Sequence, residues 1–204
     1  MITIVDYGLG NIRAFVNVYK RLNVNTKIAH RPEDLKDASK IILPGVGAFD
    51  YAMQMLNDSG MREELERQVI EHKKPVIGIC VGMQMLANSS EEGVLPGLGW
   101  IDGTVKRFNP EMIPYKTRLP HMGWNNIVPV KHNALLESFN ETSRFYFLHS
   151  YYFVCNNEND IITKSEYGVK YASGINNSNI YGIQFHPEKS HTNGIRLLYN
   201  FSKL

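Results

Sequence analysis

The sequence is poor in cysteine, close to neutral in net charge, and free of any long apolar run. Its 204 residues hold two cysteines, Cys80 and Cys155. Two cysteines do not make a disulfide framework, and no Cys/His spacing resembles a zinc site. A reducing cytoplasm is therefore the expected compartment, with no metal or other cofactor. The balance of 22 Lys and Arg against 20 Asp and Glu leaves +2, which gives no electrostatic basis for nucleic acid or an anionic membrane as partner. No apolar run approaches the roughly 18 residues of a membrane span. The start, "MITIVDYGLGN", lacks the basic opening and extended apolar stretch of a secretory signal. What remains, 43% hydrophobic and 21% charged, is the composition of an ordinary globular protein. The length suits one domain, residues 1–204, with a sizeable core.

The first half alternates short β-branched runs with helical patterns. Strands are predicted at 2–5, 25–30, 40–45 and 75–79, with helices at 11–22, at 48–73 (broken near Ser59-Gly60) and at 82–88. Such alternation predicts a mostly parallel sheet flanked by helices. The second half carries successive strand signals, "GTVKRF", "RFYFLHSYYFV", "DIITKSEY", "VKYASGI" and "NIYGIQF", then a closing helix, "NGIRLLYNFSKL". These predict antiparallel strands added to the parallel core. The segment 109–126, with three prolines and little periodicity, reads as an ordered loop.

Chemistry concentrates at two junctions. "PVIGICVGMQMLA" places Cys80 between a strand and a helix, in a G-x-C-x-G setting. Gly78 and Gly82 would let the chain turn sharply, as at the serine elbow of α/β hydrolases. Cys80 would then project at the carboxyl end of the sheet, where a helix N-terminus favours a thiolate. The alternative is a buried structural cysteine. "YGIQFHPEKS" ends a strand with His186, then Pro187 and Glu188. His186 could take the thiol proton while Glu188 accepts from its other ring nitrogen, a Cys-His-Glu triad. A plain surface turn is the alternative there.

"GICVGMQ" together with "FHPEKS" resembles the class I glutamine amidotransferase family. "DYGLGN" (6–11), "LPGVGAF" (43–49), "PHMGWN" (120–125) and "LHSYYF" (148–153) resemble, in order and spacing, the members that serve histidine biosynthesis. One departure is Val81, where those members commonly have leucine; only the backbone N–H matters there. The resemblance implies a glutaminase in which Cys80 attacks glutamine and His186 and Glu188 complete the triad. The backbone N–H groups of Val81 and Val46 would form an oxyanion hole, and Gly47, Gln84, His149, Ser150 and Tyr151 would hold glutamine. It also implies a heterodimer with a separate (β/α)8 cyclase/synthase that receives the ammonia. Asn11, Pro120, Met122, Trp124 and Lys189 are the interface candidates. Two other readings stay open: a relative that feeds a sugar-modifying synthase, and an inactive amidotransferase-like binding module.

Overall fold

The computed structural model describes all residues, 1–204. Its elements run β1 Ile2–Val5, α1 Ile12–Arg21, β2 Thr26–Ala29, β3 Lys40–Gly45, α2 Phe49–Asp58 and α3 Arg62–Glu66. There follow β4 Val76–Cys80, α4 Val81–Gln84, β5 Ser89–Ser90, β6 Gly103–Arg107, β7 His121–Asn126 and β8 Val128–Pro129. The chain closes with β9 Arg144–His149, β10 Tyr151–Cys155, β11 Ile161–Tyr167, β12 Val169–Asn177, β13 Ile180–Ile183 and α5 His191–Lys203.

The main sheet has the order β2-β1-β3-β4-β13-β12-β10-β6-β5, with β11 on β12 and β8 on β11. From β2 to β13 neighbouring strands are parallel; β12, β10 and β6 then continue antiparallel. Every residue of β1 and β4 is buried, as a strand covered on both faces requires. Phe15 and Tyr19 of α1 and Leu197, Leu198 and Phe201 of α5 fill one part of the core. Phe49, Ala52, Met53 and Leu56 of α2 fill another. The Tyr19 hydroxyl, buried with them, donates to the Leu198 carbonyl at 3.1 Å, as a buried phenol must.

Three elements differ from the sequence expectation. The predicted loop 109–126 contains β7, which pairs antiparallel with β9 in a separate two-stranded sheet. Its alternation is inverted: His121 is buried, whereas Met122 and Trp124 face outward. An apolar-in pattern therefore could not reveal it. "RFYFLHSYYFV" is two strands, because the chain changes sheets at Ser150: β9 joins β7 and β10 joins β12 and β6. The predicted helix 82–88 lasts only through α4. The carbonyls of Met85, Leu86 and Ala87 accept instead from the N–H groups of Leu98, Trp100 and Gly99. The break near Ser59-Gly60 is present, with Gly60 at φ +71°.

Three glycines set the backbone around Cys80. A Cβ on Gly82 would lie 2.0 Å from the Leu43 carbonyl oxygen, one on Gly78 2.4 Å from that of Gly82, and one on Gly45 2.3 Å from the Gly82 nitrogen. The ends of β3 and β4 and the start of α4 thus meet at distances no side chain permits. Gly82→Ala is expected to cost about 2–4 kcal/mol, because backbone has to move. Gly60→Ala, whose Cβ would meet nothing within 4 Å, is expected to cost about 1 kcal/mol, for its left-handed backbone alone. Urea denaturation of the two variants checks the contrast; equal losses would contradict it.

Candidate active site

Cys80 ends β4 with φ 57° and ψ −112°, a conformation that costs a non-glycine residue about 1–3 kcal/mol. The flanking glycines hold it there, and the Cys80 side chain is delivered to the start of α4. Val81 opens α4, where backbone N–H groups have no intrahelical partner. The Cys80 Sγ lies 3.8 Å from the Leu148 carbonyl oxygen and 3.9 Å from the Gln184 Nε2.

His186 follows β13. Its N–H donates to the Tyr146 carbonyl at 2.8 Å, tying this loop to β9. Its Nδ1 is 2.9 Å from the Glu188 Oε1, both side chains being almost wholly buried. Ser190, which the sequence reading did not single out, clasps the turn: its hydroxyl donates to the His186 carbonyl at 2.6 Å and accepts the Tyr146 N–H at 3.0 Å. Burial pushes the His186 imidazole down. The hydrogen bonds to Cys80 and Glu188 and the charges of both outweigh that, and the ring titrates at about 10. A protonated His186 is the electrostatic partner that a thiolate requires.

These groups face one cavity of about 320 Å³, lined by Cys80, Val81, His186, Val46 and Gly47, by Gln84, and by His149, Ser150 and Tyr151. The structure thus brings together every residue expected in the oxyanion hole and the glutamine site. Gln84 donates through Nε2 to the Tyr151 carbonyl and to the Gln184 Oε1, both at 3.1 Å, and its own Oε1 has no protein partner. His149 lines the cavity, but neither ring nitrogen is free for a ligand. Nδ1 faces the Tyr151 carbonyl at 2.7 Å, and Nε2 faces His121 and Tyr171 at 3.2 and 3.3 Å. Burial holds both rings neutral, His149 down to about 3 and His121 down to about 4.

Of the interface candidates, Pro120 and Lys189 line the mouth of this cavity. Met122 and Trp124 are exposed on β7 beside a second hollow with Tyr115, and Asn11 precedes α1. Trp124 also stacks on His191, at the head of α5, with 5.3 Å between centroids and 3° between planes. The sequence reading missed Glu92, which lines the cavity while its Oε2 accepts the Phe49 N–H at 2.9 Å. Burial raises its pKa, the Phe49 N–H pulls it back, and Asp50 raises it further. No spacing signal marks Glu92, since it is one of two adjacent acids in a loop.

A thiol on a strained elbow, an imidazole held by a carboxylate, and free N–H groups beside them can run nucleophilic acyl transfer. The histidine's shift has a stability consequence. Its folded-state value of about 10 exceeds the unfolded value of about 6.5. The contribution is therefore complete below pH 6.5 and is lost as pH rises through 10. Glu188→Gln is expected to destabilise by about 2–4 kcal/mol at pH 6.5, with the gap to wild type narrowing toward pH 10. Urea titrations across that range check it; a gap independent of pH would mean that His186 is neutral in the folded protein.

Comparison with known proteins agrees with this geometry. The family model "Glutamine amidotransferase class-I" matches residues 3–203. The chain is 54% identical to the imidazole glycerol phosphate synthase subunit HisH of Bdellovibrio bacteriovorus and 50% identical to that of Leptospira interrogans, in each case over 100% of both chains. Among solved structures it is similar to a glutamine amidotransferase (TM-score 0.74, 20% identity, 99% of this chain and 97% of that one). It is also similar to PurLQS from Thermotoga maritima (TM-score 0.73, 16% identity, the same coverage). By sequence along its whole length, and with a matching fold, the chain belongs to the class I glutamine amidotransferase family.

Proposed function

We propose that the chain is the glutaminase subunit of an imidazole glycerol phosphate synthase. It would hydrolyse glutamine to glutamate and ammonia and pass the ammonia to a separate (β/α)8 synthase in histidine biosynthesis. The observation that carries this reading is the meeting, at one cavity, of the Cys80 elbow with a His186 held 2.9 Å from Glu188. Full-length identity to HisH subunits supports the choice of synthase. The cytoplasm is the matching compartment, and no helix is long and apolar enough to cross a membrane.

In this mechanism the Cys80 thiolate adds to the side-chain carbonyl carbon of glutamine. The carbonyl electrons move to oxygen, where the N–H groups of Val81 and Val46 stabilise the oxyanion. His186 protonates the departing nitrogen, the C–N bond breaks, and ammonia leaves a γ-glutamyl thioester. Neutral His186 then takes a proton from water, whose oxygen adds to the thioester. Collapse of that second intermediate releases glutamate and returns the thiolate. The Glu92 carboxylate is the anion available to the substrate's α-ammonium, and Gln84, whose Oε1 has no protein partner, lines the same cavity. Gly47, at φ +86° with open space around it, lets the Val46 peptide turn, so partner binding can complete the oxyanion hole. A missing donor lowers the rate roughly 100-fold to 1,000-fold, enough to silence the subunit until its partner is loaded.

The exposed Met122 and Trp124 of β7 and the Lys189 at the cavity mouth form the face for the synthase. Glutamate release is expected to fall by at least about 10,000-fold in Cys80→Ala with the synthase still bound; turnover near wild type would remove Cys80 as nucleophile. Trp124→Ala is expected to raise the dissociation constant of the complex by roughly tenfold or more, as read by titration calorimetry. An unchanged constant would take Trp124 out of the interface.

A further inference from the structure

Behind the cavity wall lies a buried cluster that the hydrolytic steps do not use: His121 on β7, His149 at the end of β9, and Tyr171 on β12. Its hydrogen bonds have a fixed direction at both ends. The Tyr151 carbonyl can only accept, so the His149 Nδ1 at 2.7 Å must carry the proton. A neutral His149 then offers Nε2 as an acceptor, facing the His121 Nδ1 at 3.2 Å and the Tyr171 hydroxyl at 3.3 Å. At the far end the Asn125 Oδ1 accepts the Asn126 N–H at 2.8 Å, and that fixes the amide's orientation. The Asn125 Nδ2 therefore donates, to the His121 Nε2 at 3.3 Å and to the Glu166 carbonyl at 2.8 Å. His121 is thereby set as the Nδ1–H tautomer as well, and that proton serves the Tyr171 oxygen or the His149 Nε2.

The end of this chain lies at the cavity. The Tyr151 carbonyl accepts from both His149 and the Gln84 Nε2, and the same Nε2 reaches the Gln184 Oε1. Turning the Gln84 amide over would set its oxygen against the Tyr151 carbonyl oxygen, so the Gln84 Oε1 is held as a buried acceptor without a protein partner in the wall of the cavity. We propose that His149 is a positioning residue for glutamine binding. It is the last member of a directed hydrogen-bond chain, from Asn125 through His121 and Tyr171, that fixes the Tyr151 carbonyl and through it the acceptor face of Gln84. Its ring touches no reacting atom. Burial, which keeps both imidazoles neutral, leaves each ring one donor and one acceptor.

This role rests on the glutaminase reading, and the test separates the two. Glutamine binding is measured by calorimetry on the full chain carrying Cys80→Ala, which cannot turn over. Adding His149→Leu is expected to weaken binding about tenfold, while His149→Asn, whose amide N–H stands where Nδ1–H does, is expected to stay within about threefold of the parent. Gln84→Ala is expected to weaken binding in the parent but to add little once His149→Leu is present. Equal loss in the Asn and Leu variants, no loss in either, or fully additive losses with Gln84→Ala would overturn the positioning role. If the Leu variant does not fold, Tyr171→Phe decides, with weakening of about fivefold or more expected and a change within about threefold contradicting the chain. Absence of glutamine binding in the parent would overturn the glutaminase reading and this role with it.

Discussion

The site depends on a steric constraint: the ends of β3 and β4 and the first turn of α4 approach so closely that only hydrogen fits between them. Gly45, Gly78 and Gly82 each face backbone atoms of the others' segments at 2.3, 2.4 and 2.0 Å from where a Cβ would be. That packing forces the chain to reverse within one residue, and the residue at the reversal is Cys80, at φ 57°. Strain at a nucleophile persists only when the surroundings over-determine it. Here they do, because β4 is buried throughout and hydrogen-bonded on both sides, by β3 and β13. The same contacts bring the β3 end, with Val46 and Gly47, to the cavity that Cys80 faces.

Electrostatics then separates three histidines that share one region. His186 has a carboxylate at 2.9 Å and Cys80 beside it, and it stays charged up to about pH 10. His149 and His121 have no carboxylate partner: burial drives His121 down to about 4, and burial with repulsion from His121 and His186 drives His149 down to about 3 against its bond to the Tyr151 carbonyl. One residue type thus gives a charged imidazole beside Cys80 and two uncharged rings nearby. Cys155 shows the same logic among thiols. Burial pushes it up to about 12, Asp160 adding to the rise against Lys131, so it is protonated and unreactive, whereas Cys80 faces an imidazolium.

Much of this was legible in the sequence, because glycines at a strand–helix junction and a His-Pro-Glu after a strand have local meaning. The parallel core followed from the alternation of β-branched runs and helical patterns, and Cys80, His186 and Glu188 followed from the two junctions. The rest was hidden for physical reasons. The strand β7 turns Met122 and Trp124 outward and His121 inward, opposite to the pattern that marks a half-buried strand. The early end of α4 reflects carbonyls captured by residues 98–100, a long-range competition that local propensity does not register. Glu92 and Ser190 act through backbone groups distant in sequence, Phe49 and Tyr146. His149 looked like a substrate ligand by resemblance, yet its two nitrogens are engaged within the protein.

The proposed glutaminase rests on Cys80 being the reactive thiol at a site shaped for glutamine. Mass-spectrometric mapping of the chain decides it, after exposure to a glutamine-shaped α-chloroketone whose chloride leaves as the thiolate alkylates, with and without excess glutamine. One adduct is expected, on the peptide carrying Cys80, suppressed by glutamine, with Cys155 unmodified. An adduct on Cys155 instead, or labelling of Cys80 that glutamine does not slow, would contradict it.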